Sequence, residues 1–222
     1  MFLMLVRHAT LDDLDALAAV EAACFPPQEA ADIDQLANRV ESYPNHFWLL
    51  VNPAEPDNDC FPAQVDDGML VSFIDGPCVG SPDLTDDMYG STALHADDAP
   101  WQMILGVNTA PMYQHRGCAS FLMRHVILDS ALSHRHGIVL ACKEKMLPFY
   151  SSFGFIDEGR SQSVHGNAVW HQMRLPFTVS ADARDDAPGA DIRQATITMA
   201  MHETTAYMDH ERTITSQFPQ LV

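Results

Sequence analysis

Apolar and polar positions succeed one another along this chain with two different periods, and the alternation of periods predicts a mixed α/β order. Residues 2–8 run apolar to Val6 and turn polar at Arg7 and His8, as a first strand does. Thr10, followed three positions later by Asp13, resembles a capping box and opens a helix through about Cys24, with Leu14, Leu17 and Ala18 on one face. Pro26 and Pro27 end it. A second helix is expected from about Asp32 to Tyr43 and a strand from His46 to Val51. A polar loop over 52–67 then leads to a strand over 68–75 that completes a hairpin. Residues 76–100 form a long acidic stretch with Gly and Pro, of the kind that is functional or mobile. Trp101 to Val107 reads as a strand and Gly117 to about His136 as a helix, with Phe121, Leu122, His125, Leu128 and Leu132 at helical spacing. A short buried strand (Ile138 to Cys142), a short helix (Met146 to Phe153) and strands near 154–158 and 167–175 follow.

The composition then changes. Residues 1–176 are expected to form one domain and 177–222 a C-terminal extension of unassigned role, with a linker over 180–190. In the extension, Ile197, Met199 and Met201 alternate like an added strand. Three fates are open for it: folding back over the site, pairing with a second subunit as a homodimer, or staying disordered. No apolar run approaches the roughly 20 residues of a membrane span. Met1 to Val6 is too short for a signal peptide and is followed by charge, so a cytoplasmic protein is expected. The five cysteines are odd in number and lack C-x-x-C spacing, which fits reduced thiols and suggests neither a disulfide framework nor a zinc site.

Thirty acidic residues against twelve basic ones give a formal net charge of −18. Such a field repels nucleic acid and anionic membranes and suits a cationic small molecule, such as a protonated amine. Any anionic ligand must then find its donors locally.

The segment 104–120 offers such donors. A strand ends, a turn follows, and a helix begins at Gly117, where unpaired N–H groups and a positive dipole end meet a residue without Cβ. Arg116 adds positive charge. The lysine of a P-loop and the glycine spacing of a dinucleotide fingerprint are both missing. In 138–155 a buried strand leads into Pro148-Phe149-Tyr150 and Phe153-Gly154-Phe155. Core packing and a glycine cap account for the phenylalanines and Gly154, but less well for Tyr150, whose phenol needs a polar partner when buried.

Together these segments resemble the GNAT superfamily of N-acetyltransferases over roughly residues 3–176. Gln114-His115-Arg116-Gly117-Cys118-Ala119 matches its Q/R-x-x-G-x-G/A pyrophosphate motif. Leu147-Pro148-Phe149-Tyr150 with Phe153-Gly154-Phe155, and Phe25-Pro26-Pro27 with Glu29, are similar to the arylalkylamine N-acetyltransferase-like branch in its bacterial and yeast-like members. The resemblance implies a mixed, mostly antiparallel sheet of about seven strands flanked by helices. It implies acetyl-CoA as cosubstrate, with residues 114–120 (through Ser120) and Phe149 around it and Leu105, Gly106 and Val107 along its pantetheine arm. Tyr150 would protonate the leaving thiolate. Phe25, Pro27, Trp101, Met103 and Cys142 would adjoin the amine. Trp101 and Met103 stand where the animal enzymes carry two histidines, and two extra residues lie between Val107 and Gln114, so the animal proton path is missing.

An alkylammonium with a pKa near 10.4 must lose a proton before it attacks a thioester. Glu29, after two prolines, is the first candidate base; His95, Asp97 and Asp98 on the long loop come second, and Glu21 third, on a helix face read as exposed. A strand N–H near Val107 would hold the oxyanion. His134 and His136 diverge on a helix, and His165 and His171 lack a carboxylate motif, so no metal is expected. The expected activity is acetyl transfer to a small primary amine by direct attack. The alternatives are acetylation of peptide amines or amino sugars, and a non-catalytic acyl-CoA-binding module.

Overall fold

The computed structural model describes residues 4–53 and 63–177. Residues 2 and 3, Cys60, the linker 180–190 and the alternating stretch 196–201 lie outside the described residues. In chain order the elements are β1 (Leu5–His8), α1 (Leu14–Cys24), α2 (Ile33–Ser42), β2 (Phe47–Asn52), β3 (Gln64–Val65), β4 (Gly68–Asp75), β5 (Cys78–Val79), α3 (Asp87–Gly90), β6 (Trp101–Ile104), β7 (Gly106–Thr109), α4 (Cys118–Leu132), β8 (Gly137–Cys142), α5 (Leu147–Ser151), β9 (Ile156–Arg160) and β10 (His171–Pro176).

Local chemistry sets the helix starts. Asp13 accepts the Thr10 backbone N–H at 2.8 Å, and a short 3-10 turn over Leu11–Asp13 precedes α1. Asp32 and Gln35 cap α2 reciprocally, at 2.8 and 2.9 Å. Tertiary packing sets the rest. β1, β2, β4 and β3 form an antiparallel sheet with β7 on β4; β5, β6, β8, β10 and β9 form a second, in which β6 and β8 are the one parallel pair. All eight residues of β4 are buried, which requires cover on both faces. Helices α1 and α4 both pack on it.

The stretch expected as one strand from Trp101 to Val107 is broken at Leu105. Before the break, β6 pairs with β8; after it, β7 pairs with β4 and runs on to Thr109. Leu105 sits between the ladders and donates its N–H to the Asp75 carbonyl at 2.8 Å. Among the described residues there are ten strands where about seven are expected; the excess comes from the break between β6 and β7 and from β3 and β5, which are two residues each. The acidic stretch 76–100 is structured where it carries apolar side chains. Leu84, Met88 and Tyr89 join Val79, Met103 and Val139 in a small second core. Among the described residues, no helix is long and apolar enough to cross a membrane.

Candidate active site

The break at Leu105 opens a wedge. Ile104 is matched with Leu140, but beyond that point Ala141 and Cys142 pair with β10, while β7 has turned to β4. Two features bear on the site. The first is the turn before α4, whose residues Gln114 to Gly117 are exposed. Gly117 has φ 84° and no neighbour within 4 Å of where a Cβ would stand, so its backbone conformation, not crowding, calls for glycine. His115 is also left-handed, at φ 59°. Left-handed residues in such turns are the backbone form of anion-binding concavities, here at the start of a 15-residue helix. Arg116 lies over the Tyr113 ring at 5.9 Å, and Gln114 is tied to the Thr109 carbonyl at 3.1 Å. Cys118 is buried; Ala119 and Ser120 are half-buried on the first turn.

The second feature is a pocket at the break itself, lined by Glu21, Phe25, Leu105, Tyr89, His165 and Trp170, among others. Tyr89 and His165 stack at 4.0 Å, giving the pocket an aromatic wall. Glu21 is 4 % exposed and accepts the Ala31 N–H at 2.9 Å. Burial, less the help of that N–H, pushes its pKa up to about 7. The helix face read as exposed is therefore buried at this position. Gly106 makes the approach tight: a Cβ there would lie 2.9 Å from Asn108 Nδ2, 3.2 Å from Asp75 Oδ1 and 4.0 Å from Glu21 Oε2. Gly106→Ala is expected to displace these groups and cost about 1–3 kcal/mol, as overpacking does, which urea unfolding measures.

Glu29, the first candidate base, also lines the pocket, but both its carboxylate oxygens lie 2.7 Å from Lys143 Nζ. That ion pair, with Trp170 5.6 Å from the same ammonium, holds the carboxylate on a fixed cation. His95, Asp97 and Asp98 are elsewhere. His95 takes the Cys78 N–H on Nδ1 at 3.1 Å and meets Asp97 through Nε2 at 3.1 Å. His46 Nε2 stands 3.5 Å from the same carboxylate. These three form a compact group, yet the donor set does not fit a metal: His95 Nδ1 is an acceptor, so its Nε2 carries the proton where a metal would need a lone pair.

Three further candidates lie away from the pocket. Trp101 lies at the start of β6 under Arg174, 5.0 Å from its guanidinium, and does not line the pocket. Met103 is fully buried in the second core, behind Tyr89. Pro27 is exposed and outside the pocket wall, although Phe25 is in it. Cys142 is buried at the end of β8, 3.5 Å from the Met173 sulfur, and burial pushes its thiol up to about 12, so it stays protonated. Tyr150 is 7 % exposed, between Phe149 and Phe155. Burial raises its pKa, which keeps the phenol neutral.

No family model and no curated protein sequence matches the chain. Solved structures do. The GNAT-like decarboxylase GphF in complex with isobutyryl-CoA aligns with a TM-score of 0.61 at 19 % identity, over 78 % of this chain and 98 % of that one. The loading GNATL domain of CurA from Lyngbya majuscula gives 0.62 at 16 %, over 78 % and 98 %. Arabidopsis thaliana NAA60 in complex with acetyl-CoA gives 0.57 at 15 %, over 79 % and 99 %. The chain has the GNAT fold. The expected fold class is borne out. The three neighbours differ in what they are named for, so they speak to the fold and not to the arylalkylamine-like branch.

Proposed function

We propose that the chain is an acetyl-CoA-dependent N-acetyltransferase that acts on a compact primary amine, of the arylalkylamine or polyamine kind, by direct attack. One observation carries the reading: the pocket at the Leu105 strand break holds a buried carboxylate, Glu21, its pKa pushed up to about 7. The exposed glycine turn before α4 and the neutral buried phenol of Tyr150 support it. Acetyl-CoA supplies an acetyl thioester. Backbone N–H groups of residues 115–119 and Arg116 hold its pyrophosphate, and the edge of Leu105 to Val107 turned from β4 takes the pantetheine arm. Glu21 replaces Glu29 as the base. It takes one ammonium proton before the nitrogen attacks the acetyl carbonyl; an N–H near Val107 stabilises the oxyanion; as the C–S bond breaks, Tyr150 gives its proton to the departing sulfur and the second proton of the attacking nitrogen restores the phenol.

The pocket's chemistry favours an amine without a carboxylate. Its aromatic wall and Glu21 attract an alkylammonium. Its one lining guanidinium, Arg39, is committed to Asp75 and to the Tyr89 carbonyl. An acid on the acyl group, which decarboxylation requires, would meet Glu21 and find no free cation among the described lining residues.

The test is thiol release from acetyl-CoA with arylalkylamines, polyamines, amino sugars and peptides. Turnover is expected with the simple amines. Turnover confined to peptides or amino sugars would overturn the acceptor, and tight acetyl-CoA binding without turnover on any class would overturn the enzyme reading.

A further inference from the structure

We propose that the buried Arg39–Asp75 ion pair is a positioning unit for Glu21, built to set that carboxylate's charge balance at the strand break. The proposal rests on Glu21 acting as the base.

The geometry points this way because the pair is placed where a strut of the core would be wasteful. Asp75 is the last residue of β4, 0 % exposed, with Oδ2 3.2 Å from Arg39 Nη1. Burying both charges costs desolvation that an apolar pair would avoid, so retention of the pair asks for a use. Asp75 and Glu21 flank the same glycine, at 3.2 and 4.0 Å from the position of a Gly106 Cβ. Arg39 extends the unit to the pocket wall by donating to the Tyr89 carbonyl at 2.9 Å. The two partners act on Glu21 with opposite signs: Asp75 disfavours its ionised form and Arg39 favours it. Other groups facing Glu21 are the Ala31 N–H, the Asn108 amide on β7 and the Cys24 thiol on its own helix. Across the pocket lie Tyr89, His165 and the Glu29–Lys143 pair.

The experiment follows the Glu21 carboxyl by 13C chemical shift against pH in the protein without ligands, assigned with Glu21→Gln. Asp75→Asn is expected to move the titration to lower pH and Arg39→Met to higher pH, each by about one unit, or tenfold in proton affinity. Singles that leave the titration unmoved, or move it in the same direction, overturn the proposal. Should either single fail to fold, the neutral double variant R39Q/D75N decides. It is expected below the wild-type titration, since Asp75 is the larger influence, and a value at or above wild type overturns the proposal. The acid limb of kcat/KM separates the two readings. A carboxyl that shifts as expected while the acid limb stays fixed refutes Glu21 as the base and leaves the pair's influence standing.

Discussion

Glu21→Gln is expected to lower kcat/KM by about 10²–10⁴-fold and at the same time to make the protein harder to unfold above pH 7. The first effect is the loss of the proton acceptor. Gln keeps the shape and can still accept the Ala31 N–H, so the pocket should survive. The deficit should narrow as pH approaches the ammonium pKa of about 10.4, where free amine is supplied by solution. The second effect follows from linkage. The Glu21 pKa is raised in the fold, from 4.5 to about 7, mainly by burial. Below 4.5 the carboxyl is neutral in both states. Between the two values the unfolded chain releases its proton while the folded one keeps it, so stability falls as pH rises and levels off above about 7. The loss is on the order of 3 kcal/mol, and Gln does not incur it. Melting curves at pH 5 and pH 8 check this: the variant's advantage should be small at the first and several degrees at the second. Wild-type turnover at pH 7 in the variant would remove Glu21 from the mechanism.

That carboxylate also shows where sequence reading stops. Its spacing, seven residues after Leu14 and four after Leu17, points to the face that packs inward, against the exposed position expected for it. Its residue type argued the other way, since glutamate is seldom buried without a partner. The groups that accommodate it are Ala31 in the next loop and Arg39, Asp75 and Asn108 on three other elements. No spacing rule connects these. Glu29 and Lys143, 114 residues apart, are hidden in the same way. The break at Leu105 is not marked as one either: Trp101 to Val107 is apolar but for Gln102 and Gly106, and at the break the Asp75 carbonyl takes the Leu105 N–H. By contrast, the cap at Thr10 and the turn at Gly117 are set by neighbours within four residues and are legible in the sequence, whereas of the Asp32 cap the sequence shows only the helix start. Local backbone demands are written in order along the chain, whereas the electrostatics of the site are assembled across it.

Tyr150→Phe is expected to lower kcat by about 10²–10³-fold with little change in the KM for acetyl-CoA or in stability. The phenol sits 7 % exposed with Phe149 and Phe155 at its edges, so a phenyl ring fits the same space. Burial raises its pKa above the usual 10, and charge on Cys142 and Tyr89 would raise it further. The hydroxyl is therefore protonated across the working range, and the mutant's deficit should be flat between pH 6 and 9, where Glu21 alone shapes the acid limb. A role in binding or packing would make the same flat profile, so the leaving group supplies the discriminating measurement. An acyl donor whose thiol is markedly more acidic than that of CoA departs as a stable thiolate and needs no proton. With such a donor the gap between wild type and Tyr150→Phe should close by an order of magnitude or more. A gap that stays constant across donors would place Tyr150 in the wall of the site and leave the departing sulfur to be protonated by water.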